Sequence, residues 1–210
     1  MGNFLFKRLF VKKTIRILVL GRYDAGKTTT LHALNLGDVR TTIPTVGYMS
    51  ETLNFKNLEI STWDIGGREK IRPLLRHYYA STHGLVFVLD SSDREGFDQT
   101  LKELFVVVKE EELRNIPVLV LANKQDISGA MKPESVVREI QNEQSMRDTR
   151  WMVFGVSAVD QTEHRLFEAF DWLTNEITVN ERRSAASKML HEDNRDCNNN
   201  NGDKRTKHNT

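Results

Sequence analysis

Cysteine is nearly missing. Cys197 is the single one in the chain, which excludes an intramolecular disulfide framework and suits a reducing cytosol. An excess of charge is also missing: 30 Lys and Arg stand against 29 Asp and Glu, for a formal net charge of +1. No net electrostatic case for DNA, RNA or an acidic substrate follows, so partners have to be read from local sites. Long apolar runs are lacking too. The stretch Phe4, Leu5, Phe6, Leu9, Phe10 is broken by Lys7 and Arg8, which is too short and too interrupted for a secretory signal or a membrane span. The expectation is a soluble chain, or one that touches a membrane from one side only. No internal repeat is visible. What the 210 residues do have is a 39% hydrophobic share, enough to close one substantial core, and one domain is the default.

Short apolar or β-branched runs alternate with helical patterns. Residues 15–20, 85–89, 117–121 and 152–156 read as buried strands of a parallel sheet. The segments around 27–36, 97–113, 133–142 and 162–177 carry helical spacing, as in Leu166, Phe167, Phe170 and Leu173. This alternation predicts a doubly wound α/β fold. Between residues 48–55 and 58–63 stand only Lys56 and Asn57, too few for a crossover helix, so those two strands are expected as an antiparallel hairpin at one edge. The sum is a mostly parallel six-stranded sheet. Beyond Thr178 the apolar pattern ends and Ser, Asn, Asp and Lys take over, including Asn198-Asn199-Asn200-Asn201, which reads as a disordered polar tail. Cys197 lies too far from the last residue for C-a-a-X prenylation. The expected organisation is an interface segment at 1–13, a folded domain at 14–178 and the tail at 179–210.

Gly21-Arg22-Tyr23-Asp24-Ala25-Gly26-Lys27-Thr28 fits G-x-x-x-x-G-K-[ST], directly after the first predicted strand and before the first helix. Glycines allow a tight loop whose N–H groups converge on phosphate oxygens, and the following helix offers its positive end. In that P-loop setting Lys27 is expected to reach the β- and γ-phosphates of a nucleotide, and the Thr28 hydroxyl to be a ligand of Mg²⁺. Downstream stand Thr45, in Ile43-Pro44-Thr45-Val46-Gly47, and Trp63-Asp64-Ile65-Gly66-Gly67. A strand-end Asp64 near the phosphate loop can hold Mg²⁺ through a water.

Asn123-Lys124-Gln125-Asp126 follows a predicted strand, at the carboxyl edge where such sheets bind ligands. The Asp126 carboxylate can accept from the N1–H and exocyclic amine of guanine. Adenine offers an acceptor at N1 and lacks that amine, so the discrimination can be large. Ser157-Ala158, after the last strand, would supply a backbone N–H toward the guanine oxygen. Taken alone, that pair reads equally well as a polar strand ending.

Together, Ala25-Gly26-Lys27-Thr28-Thr29, Ile43-Pro44-Thr45-Val46-Gly47, Trp63-Asp64-Ile65-Gly66-Gly67, Lys70-Ile71-Arg72-Pro73-Leu74 with Arg76-His77-Tyr78, and Asn123-Lys124-Gln125-Asp126 resemble the Arf and Arf-like branch of small GTPases, over about residues 13–177. The resemblance implies a switch that binds GTP or GDP with Mg²⁺. Its nucleotide contacts would come from Asp24, Ala25, Gly26, Lys27, Thr28, Thr29, Thr45, Gly67, Asn123, Lys124, Asp126, Ser157 and Ala158. Thr45 would coordinate Mg²⁺ with GTP bound, the Gly67 amide would contact the γ-phosphate, and the hairpin between the switches would slide in register. Tyr48, Trp63 and Tyr78 would form an effector-facing cluster, although hairpin packing is an equally ordinary use of those aromatics. Partners implied are effectors, an exchange factor and an activating protein, on a monomer that is cytoplasmic and peripheral on an intracellular membrane.

Two residues depart from the pattern. The Arf-type phosphate loop resembles G-L-D-A-A-G-K-T, whereas here Tyr23 holds the Asp position and Asp24 follows it. Where the family has a glutamine to orient the attacking water, this chain has Arg68, so no catalytic residue is assigned. Guanidinium is donor-only and permanently charged, and slow intrinsic hydrolysis is expected. At the amino end, Gly2 is the position for myristoylation, but Phe6 stands where that motif asks for Ser or Thr. On a helical wheel Leu5, Phe6, Leu9 and Phe10 fall within roughly 140°, a membrane-interface signal that Phe4, Val11, Lys12 and Lys13 blur. Three functions fit: a GTP-dependent switch in membrane traffic or related signalling, a GTP-held scaffold with hydrolysis lost, and a P-loop small-molecule kinase. The base-reading motif and the lack of a lid or acceptor-pocket signature speak against the third.

Overall fold

Strands whose residues are buried on both faces sort their side chains by parity, and β1 (Ile15–Gly21) does so cleanly. Ile15, Ile17 and Val19 enter one core, while Leu18 and Leu20 enter the other. The computed structural model describes residues 14–34, 39–42, 50–55, 58–64, 72–160 and 164–202. Its remaining elements, in order, are α1 (Lys27–Ala33), β2 (Val39–Thr42), β3 (Ser50–Phe55), β4 (Leu58–Asp64), α2 (Arg72–Tyr79), β5 (Gly84–Asp90), α3 (Phe97–Val107), β6 (Val118–Asn123), α4 (Pro133–Asn142), β7 (Trp151–Gly155) and α5 (Arg165–Gly202).

The strands form one sheet in the order β2-β3-β4-β1-β5-β6-β7. From β4 across to β7 all neighbours are parallel, and β2-β3 and β3-β4 are antiparallel. The predicted hairpin is therefore present, as β3-β4. The sheet has seven strands rather than the expected six, because Val39-Arg40-Thr41-Thr42 adds an outer strand beside β3. Only Val39 in that segment is apolar, so no periodicity marks it; backbone pairing to β3 makes it a strand.

α1 and α5 cover one face: Leu31, Phe170, Leu173 and Ile177 meet Ile17, Val19, Val86 and Val88 there. α3 and α4 cover the other, where Leu101, Leu104, Val136 and Ile140 meet Phe87, Leu89 and Val120. Each large side chain so buried, such as Phe170 at 0% exposure, contributes about 1.5–3 kcal/mol. Because the chain leaves β1 toward β4 on one side and later returns to β5 on the other, the strand order reverses at β1. The carboxyl end of β1 is thus the switch point where α/β sheets open a ligand crevice, and the phosphate loop begins there.

α5 runs past the Thr178 boundary, through residues 179–202 that read as an irregular tail. Two polar contacts among the described side chains carry it along the domain beyond Ile177: Asn180 Nδ2 donates to the Asn115 carbonyl at 2.8 Å, and Glu181 stands 3.8 Å from His83 Nε2. Apolar periodicity is blind to both. Farther on, Ala185, Ala186, Lys188, Met189 and Leu190 are good helix formers with no proline or glycine to stop them.

Candidate nucleotide site

Between β1 and α1 the loop turns through two left-handed residues, Asp24 (φ 60) and Gly26 (φ 93). At Gly26 a side chain is excluded twice, by that backbone and because a Cβ would strike Asn123 Nδ2. Lys27, 6% exposed, folds back so that Nζ donates to the carbonyls of Gly21 at 3.1 Å and Arg22 at 2.7 Å, clamping the loop. The Ala25 amide closes a turn onto the Arg22 carbonyl. α1 starts with no side-chain cap and no acidic residue in its first turn. Its leading N–H groups are thus not capped by a side chain of the helix itself, which fits an anion. Thr28 and Thr29 are exposed at this end. Asp64 closes β4 directly beside Gly21 of β1, so of the two positions expected to serve a metal, Asp64 ends the strand next to the one from which the phosphate loop leads to Thr28 in α1.

Asn123 joins this loop to the purine side. It is 2% exposed; Nδ2 donates to the Ala25 carbonyl at 2.9 Å, and Oδ1 accepts the Ala158 amide at 3.0 Å. Both ends of its carboxamide thus bind protein, and the Ala158 N–H expected to face a guanine oxygen is turned to Asn123. The exposed Asp126 receives Ser157 Oγ at 2.6 Å on Oδ1, which fixes the carboxylate plane and leaves Oδ2 for a ligand donor. Gln125 steadies the same loop, donating Nε2 to the Met131 carbonyl at 3.0 Å.

Lys124 stands in left-handed backbone (φ 64) and points toward the phosphate loop. Its Nζ lies 2.7 Å from Asp90 Oδ2 and 3.4 Å from Asp24 Oδ2. Burial works against its charge, but the hydrogen bond and ion pair with Asp90, joined by Asp24, hold its pKa above the ordinary lysine value. Burial likewise opposes the Asp90 charge, yet Lys124 and two hydrogen bonds from Ser92 hold that carboxyl below its usual range. Sequence reasoning did not single out Asp90, Ser92 or the Arg22–Asp93 pair at 3.8 Å. Asp90 ends a strand at the same edge as Asp64, and that shared placement was the signal available.

Thr45, Gly67 and Arg68, with Tyr48 of the aromatic trio and Gly2, lie outside the described residues. Trp63 and Tyr78 do meet, edge to face, with ring centroids 4.8 Å apart at 62°. Their exposures differ: Trp63 is 3% exposed and packs with Leu20 and Phe87, whereas Tyr78 is 38% exposed.

The model of the ADP-ribosylation factor (Arf) family matches residues 3–177. The chain belongs to the Arf family. It is therefore a small GTPase of the P-loop class, and the α/β sheet with its phosphate loop after β1 is the architecture that membership implies. Arf-family proteins bind GTP and GDP, typically with Mg²⁺, work through effectors, exchange factors and activating proteins, and are typically peripheral on membranes. Among the described residues no helix is long and apolar enough to cross a membrane. In this Arf-family chain Lys27 and the loop amides would hold the phosphates, and Thr28 and Asp64 the Mg²⁺, which supplies charge neutralisation between phosphate oxygens.

Proposed function

We propose that this chain is a guanine-nucleotide switch that cycles between GDP and GTP states to recruit effectors, in membrane traffic or related signalling. The supporting observation is that one buried side chain, Asn123, ties the phosphate loop at Ala25 to the loop at Ala158, while Ser157 orients Asp126. Phosphate grip and base choice are thereby set in one rigid frame. Mg²⁺ is assigned to Thr28, Thr45 and, through water, Asp64; the γ-phosphate contact is assigned to the Gly67 amide. Of the trio Tyr48, Trp63 and Tyr78, the two tyrosines are assigned to the effector surface, and the buried Trp63 supports Tyr78 from beneath. Residues 1–13, with myristate on Gly2, provide reversible contact with an intracellular membrane. Hydrolysis is slow because Arg68 replaces the water-orienting glutamine, so the GTP state persists until an activating protein acts.

The experiment is analysis of the nucleotide that co-purifies with the chain in Mg²⁺, followed by displacement with excess ATP, GDP or GTP. Bound guanosine phosphates, with GTP a substantial share and ATP ineffective as a competitor, are expected. An equal response to ATP would return the P-loop kinase reading.

A further inference from the structure

The phosphate loop of this chain carries a carboxylate of its own. Asp24 sits in the loop at φ 60, with its side chain 82% exposed. Among the described residues its ion-pair partner is Lys124, and that cation is not its own. Lys124 Nζ is shared between Asp24 at 3.4 Å and Asp90 at 2.7 Å, so one cation serves two anions. The loop's own arginine turns elsewhere: Arg22 reaches Asp93 at 3.8 Å and the Gly96 carbonyl at 3.5 Å. Lys27 is folded onto the Gly21 and Arg22 carbonyls.

Resting on the guanine-nucleotide reading above, we propose that Asp24 is a specificity-determining residue of the site. Its carboxylate, beside the bound polyphosphate, weakens the triphosphate complex more than the diphosphate complex and shortens the lifetime of both.

A competing effect comes from the same pair, since the Asp24–Lys124 contact also straps the phosphate loop to the purine loop and would slow release. Magnitude decides between them. A single ion pair with one partner this exposed shifts an equilibrium by about fivefold at most. Lys124 also keeps its place through the shorter and less exposed bond to Asp90, so removing Asp24 does not free it. Repulsion, by contrast, adds over every phosphate charge and grows with the γ-phosphate. The net effect of Asp24 is therefore to loosen.

The test uses the full chain in Mg²⁺ and its Asp24→Asn variant. Asparagine accepts left-handed backbone as readily as aspartate, so the charge goes and the loop stays. Asp24→Gly, which removes the charge and relaxes the backbone, is the second variant. Affinity and release rate are measured with fluorescent GDP and a fluorescent non-hydrolysable GTP analogue, at low and high salt. Both variants are expected to bind the triphosphate about 3- to 10-fold more tightly and the diphosphate about 2-fold, with slower release and a difference that shrinks as salt screens it. Faster release from both variants would mean that the strap dominates and would overturn the proposal, as would unchanged affinities. Those outcomes leave the guanine-nucleotide reading standing; a wild-type chain that binds neither probe defeats both.

Discussion

A water molecule about to attack a phosphorus needs a partner that can accept its proton or at least align its lone pair. The carboxamide of a glutamine offers an acceptor and a donor; the guanidinium of Arg68 offers donors alone. Arg68 lies outside the described residues, and its effect on the rate follows from the chemistry of its side chain. Replacing Arg68 by Gln is expected to raise single-turnover GTP hydrolysis by about tenfold or more, since a positioned partner for the nucleophile is typically worth that much or better. Equal or slower turnover in the variant would show that Arg68 does not limit the reaction. The residues that spell the site were readable because backbone geometry constrains them: only glycine suits position 26, and only a donor-only cation suits position 27. Asp90, Ser92 and Arg22 were not readable. Their roles depend on which strand ends fold together, and aspartate, serine and arginine are ordinary in any loop.

Elements differ in how much of themselves they write into the sequence. β5 and β6, buried on both faces, appear as apolar runs, as does β1 from Ile17 onward, and α4 announces itself with Pro133 at its first turn and Val136 and Ile140 four apart. β2 and α2 do not. β2 is four residues held by pairing to β3. α2 is eight residues that begin at Arg72-Pro73, too short for periodicity to stand out from a loop. The continuation of α5 was hidden for a different reason: among the described side chains, its grip on the domain just beyond Ile177 is polar, through Asn180 and Glu181. This makes a test of where the domain ends. A chain stopped after Ser184 is expected to unfold at the same temperature as the full chain. One stopped after Ile177 loses the Asn180 bond to the Asn115 carbonyl and the His83–Glu181 contact, together worth about 1–2 kcal/mol, and is expected to melt several degrees lower. Calorimetry on the two truncations reads the difference, and identical transitions would place the end of the domain at Ile177.

At the scale of the molecule, the site exists only when the sheet is assembled. Ala25, Asn123 and Ala158 lie far apart in the chain, yet two hydrogen bonds through one side chain join them at neighbouring strand ends. Segments so joined share their opening. Ligand that binds the closed arrangement should therefore protect all of them, including residues it does not touch. Adding GDP and Mg²⁺ is expected to slow amide exchange across residues 21–26, 123–126 and 157–158 together, by up to about 100-fold when ligand stands at about 100 times its Kd. Asn123→Ala would leave the Ala25 carbonyl and the Ala158 amide buried without partners, at a cost of about 1–3 kcal/mol for each. In that variant GDP is expected to protect the phosphate loop far more than residues 157–158. If the wild-type chain showed protection at the phosphate loop alone, the three loops would be independent neighbours, and the frame that couples phosphate grip to base choice would be absent.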